Sequence, residues 1–172
     1  ALAFGQARGA LSPQQSQVIA DGLRHLPVLI ERVLEREDEV KAMVDRFAAV
    51  EDAYFIGRGL DYAVAMEGSL KFKEISYIHS EAMPAGELKH GTLALITEGT
   101  PVVVVLTQGD VYDKTISGVQ EVKARGSYTV AVAYEDDTEI TKFADEVLWI
   151  PRTADILSPI LSIVPLQLLA YH

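Results

Sequence analysis

Cysteine is missing altogether from these 172 residues. Disulfides, cysteine-ligated zinc, iron–sulfur clusters and thiol nucleophiles are therefore excluded from the chain. No apolar run reaches the roughly 20 residues that span a bilayer, and the opening residues carry no secretory-signal pattern. A cytoplasmic location is the expectation. Basic residues are in deficit, 15 Lys and Arg against 25 Asp and Glu, for a formal net charge of −10. With no Lys/Arg cluster either, the electrostatic attraction that drives nucleic-acid binding is absent. An acidic protein can still hold a phosphorylated small molecule through local donors such as a helix N-terminus. No internal repeat and no low-complexity segment interrupts the chain.

What remains is an ordinary globular composition, 49% hydrophobic and 23% charged, long enough for one good core. Residues 1–11 show no clear period. Ser12, Pro13 and Gln15 form a capping-box start, followed by apolar residues at helical spacing from Val18 to Leu34. Pro27 is expected to kink or divide that helix. A second helical segment follows from Glu37 to Phe47. Strands are expected at Ala53–Ile56, Thr100–Leu106, Tyr128–Ala133 and Glu146–Ile150. Between them lie helices from near Asp61, over Tyr112–Ala124 and over Glu139–Ala144. Leu157–Tyr171 closes the chain as an apolar helix expected to need cover from further sequence or a partner. Strands alternating with helices imply a parallel sheet covered on both faces. The fold class is α/β: a flavodoxin-like three-layer α/β/α sandwich with a parallel sheet of about five strands.

The chemistry concentrates in residues 54–96, YFIGRGLDYAVAMEGSLKFKEISYIHSEAMPAGELKHGTLALI. A strand turns through Gly57-Arg58-Gly59 into a helix, with Asp61 read as its N-cap. Strand–GxG–helix junctions often hold phosphate, but this one lacks Ser/Thr character and reads as tight turn geometry. Lys71 and Glu74, three residues apart, share a helix face; the plain alternative is a solvent-exposed ion pair. His90 sits between Lys89 and Gly91 in a polar loop, where it is either a proton-transfer group or a surface histidine. His25 among apolar neighbours reads as structural. Glu81, Glu87, His79 and His90 show no recognisable metal-ligand spacing. A cation, a carboxylate and an imidazole so close in sequence suit proton transfer.

The same stretch, with TPVVVV at 100–105 and VPLQLLAYH at 164–172, resembles the second SIS (sugar isomerase) lobe of the isomerase domain of glutamine–fructose-6-phosphate aminotransferases. The likeness covers nearly the whole chain. It implies a SIS domain over residues 12–172, with 1–11 as the tail of a preceding lobe and its linker. It implies Glu74 as the proton-transferring glutamate, Lys71 as its companion and His90 as the ring-opening histidine, reaching into the neighbouring subunit of a homodimer. It implies fructose 6-phosphate and glucosamine 6-phosphate as ligands, with no cofactor and no metal. The family's first SIS lobe with its phosphate-holding Ser/Thr loops, its cysteine-dependent glutaminase domain and its C-terminal tail have no counterpart in this sequence. Thr92 stands where the family often has proline. Two alternatives share the fold: a SIS-type fructosamine-phosphate deglycase and a non-catalytic sugar-phosphate sensing module.

Overall fold

The structure is a computed structural model and describes residues 2–172; Ala1 lies outside the described residues. A short helix, α1 (Leu2–Ala7), buries no side chain. Helix α2 (Pro13–Leu34) begins with the expected capping box, Ser12 and Gln15 each accepting the other's backbone N–H. Pro27 does not divide α2, which runs as one helix from Pro13 to Leu34. The proline faces solvent, while Leu26, Leu29 and Val33 anchor the helix on both sides of it. Helix α3 (Glu37–Ala48) follows.

The sheet then alternates with its crossovers: β1 (Asp52–Gly57), α4 (Leu60–Ser76), β2 (His79–Pro84), β3 (Pro101–Leu106), α5 (Tyr112–Lys123), β4 (Tyr128–Tyr134), β5 (Glu146–Ile150) and α6 (Ser158–Tyr171). All pairings are parallel and the order is β2-β1-β3-β4-β5. The expected three-layer α/β/α architecture is borne out. Strand β2 supplies the fifth strand, in a segment where the sequence reading names no strand. Its sequence, HSEAMP, has one exposed side and ends in proline, which an edge strand tolerates. The expected helix at 139–144 is only a 3₁₀ turn, Ile140–Lys142.

Successive residues of each strand point to opposite faces, so the sheet builds two cores. Phe55, Val103, Val105, Val130 and Val132 face α2, α3, α4 and α6. Tyr54, Ile56, Val102, Val104 and Ala131 face α5 and the loop residues Leu88 and Ile96. The apolar α6 needs no outside cover: α2, α3 and α4 pack around it, and Leu161, Leu166 and Leu169 are buried. A helix apolar on every side is what such a central position requires.

The β1–α4 junction is tight. A Cβ at Gly57 would lie 2.6 Å from the Asp61 carbonyl carbon and oxygen, and Gly59 has a φ of 58°. Gly59, rather than Asp61, occupies the N-cap position, and Asp61 lies in the first turn with 1% exposure. Gly57→Ala must push backbone apart, so it is expected to destabilise the domain by about 1–3 kcal/mol in denaturant unfolding, the range for overpacking. Wild-type stability in that variant would contradict the close packing.

Candidate active site

Helix α4 buries Asp61, Val64, Ala65, Gly68, Ser69 and Phe72 and turns the opposite stripe outward. Lys71 and Glu74 lie on that outer stripe. Their side chains meet, Lys71 Nζ donating to Glu74 Oε2 at 2.7 Å, and Glu67 lies 3.7 Å from the same ammonium. The Glu74 hydrogen bond is the main influence raising the Lys71 pKa above its ordinary value. The ammonium thus stays charged beside a solvent-accessible carboxylate. An exposed pair of this kind adds little stability, and the contact holds the Glu74 carboxylate against the ammonium.

His90 closes a 3₁₀ turn, Leu88–His90. Its Nδ1 meets Glu87 Oε2 at 2.6 Å, which leaves Nε2 as the nitrogen turned to other partners. The turn is fixed from two sides: Leu88 is fully buried in the α5-side core, and Lys89 pairs with Glu121 of α5 at 2.9 Å. Lys71 and Glu74 lie on α4, which covers the other face of the sheet. The structure therefore joins Lys71 to Glu74 and places His90 in the opposite layer. No hydrogen bond or ion pair among the described residues connects His90 to either. His79 is elsewhere again, bound to Asp52 at 2.6 Å where β1 and β2 begin. Among the described residues no group of three or more His, Cys, Asp or Glu is placed to hold a metal ion.

The residues that sequence reading misses lie at the C-terminal ends of the strands. Asp61 accepts hydrogen bonds from the Thr107 backbone N–H at 2.7 Å, the Gln108 backbone N–H at 3.1 Å and the Thr107 hydroxyl. The network continues to Ser158 at the start of α6, whose Oγ lies 2.8 Å from Thr107 Oγ1 and accepts from Gln108 Nε2 at 2.8 Å. It joins α4, β3 and α6 across sequence separations of about 50 residues, which no local pattern announces. An open cavity of about 390 Å³ lies beside it, lined by Thr107, Gly109, Tyr112, Tyr134, Asp137 and Arg152 among others. None of Lys71, Glu74 and His90 reaches this cavity. Burial raises the Tyr112 pKa, and its hydrogen bonds to both Asp137 oxygens, at 2.9 and 2.7 Å, add to the rise.

A flavodoxin-like sheet with a lysine–glutamate pair on its first crossover helix defines the class, and the comparisons give the family. The profile of the SIS domain family matches residues 47–172, and the chain belongs to that family. A glutamine–fructose-6-phosphate aminotransferase [isomerizing] of Symbiobacterium thermophilum is 48% identical over all 172 residues; the chain spans 28% of that relative's length. The solved C-terminal domain of glucosamine-fructose-6-phosphate aminotransferase from Francisella tularensis superposes with a TM-score of 0.95 at 38% identity, covering 99% of this chain and 48% of that one. The sugar isomerase domain of an RpiR transcription factor from Sphaerobacter thermophilus, at 20% identity and a TM-score of 0.73, shares the fold; it covers 90% of this chain and 86% of that one.

Burial, the dominant influence, raises the Asp61 pKa above its ordinary 3.8, while the hydrogen bonds from Thr107 and Gln108 act to lower it. Its folded value thus exceeds its unfolded one. The stability gained by keeping this acid neutral is fully present below the unfolded value and is lost as pH rises through the folded value. The stability of the wild type relative to Asp61→Asn should therefore shrink from pH ~3.5 to ~7, measured by urea unfolding. An advantage that grows with pH would show the opposite sign.

Proposed function

We propose that this chain is the C-terminal SIS lobe of a glutamine–fructose-6-phosphate aminotransferase, working in the isomerisation that yields glucosamine 6-phosphate. The observation that carries this is the Lys71–Glu74 pair, outward on α4, in a chain 48% identical from end to end to such an enzyme. Ammonia released from glutamine by another domain adds to C2 of the open-chain ketose, and water leaves. Glu74 then takes a proton from C1 as the imine nitrogen gains one, giving the enaminol, and delivers a proton to C2 as the C1 hydroxyl gives up its own, which leaves the aldehyde at C1 and the amine at C2. Lys71 holds Glu74 aimed for the first transfer. His90 opens the closed sugar, protonating the ring oxygen and accepting the anomeric hydroxyl's proton.

His90 and Glu74 occupy opposite layers of one domain, so His90 acts in the site of a second copy, and a homodimer is the working unit. The sugar's phosphate is held by other parts of the full-length protein, since the cation of the pair, Lys71, is already engaged by Glu74 and Glu67. The purified chain by itself is accordingly expected to fold and to show no synthesis of glucosamine 6-phosphate. Turnover by the chain alone, abolished by Glu74→Gln, would refute the half-site reading.

In the full-length protein, Glu74→Gln should lower kcat by roughly 10²–10⁴-fold, the usual worth of a positioned acid–base group, with little change in the KM for fructose 6-phosphate. Near-normal kcat would remove Glu74 from the chemistry. Mixing Glu74→Gln with His90→Asn subunits should recover activity, because each heterodimer then contains one site with neither defect. Failure to recover activity when heterodimers are shown to form would overturn the exchange of His90 between subunits.

A further inference from the structure

The strand order β2-β1-β3-β4-β5 reverses direction between β1 and β3. In open parallel sheets the crevice beyond the carboxyl ends of the strands at that reversal is the usual ligand site. Two consecutive backbone N–H groups and a hydroxyl converge there: Thr107 N, Gln108 N and Thr107 Oγ1. Ser158 Oγ and Gln108 Nε2 stand directly behind them. Paired backbone N–H groups with hydroxyls at the end of a strand make a donor set suited to a phosphate. Here the two backbone N–H groups and the Thr107 hydroxyl all point at one carboxylate of the chain itself. Asp61 is 1% exposed, Thr107 3% and Ser158 0%.

A buried carboxylate is an expensive way to tie a helix to a strand, since a neutral side chain would avoid desolvating a charge. Asp61 also comes from the first turn of α4, directly after the β1–α4 junction that overlooks the reversal point. We infer that Asp61 is a built-in occupant of the anion cradle at this switch point, and that it excludes phosphorylated ligands from this lobe's crevice. The carboxylate takes the place that a phosphomonoester's oxygens would fill. This deepens the reading that the sugar's phosphate is bound outside the lobe, and makes Asp61 a specificity-determining residue. Asp155, near enough to disfavour further negative charge on Asp61, makes the crevice still less welcoming to an anion. Once emptied, the cradle is accordingly a weak site.

The test uses the 172-residue chain, with inorganic phosphate as probe and chloride at equal ionic strength as control. The Thr107 and Gln108 amide resonances and the Tm are followed in wild type, Asp61→Ala and Asp61→Ser. Wild type is expected to show no phosphate-specific change. Both variants are expected to show saturable shifts at those two amides and a Tm that rises with phosphate, as binding to the folded state requires. A variant that fails to fold in chloride should be recovered by phosphate. Saturable phosphate shifts at the same amides in wild type would overturn the inference. So would folded variants with no such shifts, or unfolded variants that phosphate does not recover. Because the readout is phosphate binding and not turnover, it stands or falls separately from the assignment of Glu74.

Discussion

Every strand of this domain runs in the same direction, and the arrangement of the rest follows from that constraint. Parallel neighbours cannot be joined by tight hairpins, so each connection crosses over a face of the sheet, and both faces end up covered. The alternation of side chains along each strand then supplies two separate cores. Phe55 and Val103 point to the side of α4 and α6, while Tyr54 and Val102 point to the side of α5. Two polar groups can thus sit on one short stretch of chain and still be kept apart by the full thickness of a sheet. Glu74 and His90 are sixteen positions apart in sequence, yet they belong to different layers.

The same topology concentrates polar groups at one end. The carboxyl ends of the strands expose backbone N–H groups that the sheet itself does not satisfy. Here the chain answers them internally: Asp61 reaches from α4 to the end of β3, and Ser158 continues the network into α6. The helix that presents Lys71 and Glu74 is thereby fixed at its start by a buried polar network and along its length by packing against α6. The pair is exposed and individually weak, but it stands on a helix anchored by that packing.

Much of the layer architecture is legible along the chain. The unbroken apolar run TPVVVVL can only be a strand buried on both sides, and it is. Ser12, Pro13 and Gln15 announce a helix start through bonds that span three residues, and those bonds form. Strand β2 escapes notice because HSEAMP has the composition of a loop; it is a strand only because β1 offers a free edge in register from Asp52 to Gly57. Pro27 does not divide its helix, since its lost hydrogen bond faces water while buried neighbours hold the helix together. Helix α6 looks as though it lacks cover because sequence cannot show that three other helices surround it.

The sequence by itself determined the class of fold, the boundaries of its longer helices and central strands, and the pairing of Lys71 with Glu74. Each of these rests on interactions within a few residues or on apolar periodicity along one element. Only the tertiary structure decided that His90 faces away from that pair, that β2 completes the sheet, and that Asp61 is a buried ligand of the β3 terminus rather than a helix cap. Those outcomes depend on which side of a sheet a crossover takes and on hydrogen bonds between residues about 50 positions apart. Burial of the whole chain sets these, and no local pattern encodes them.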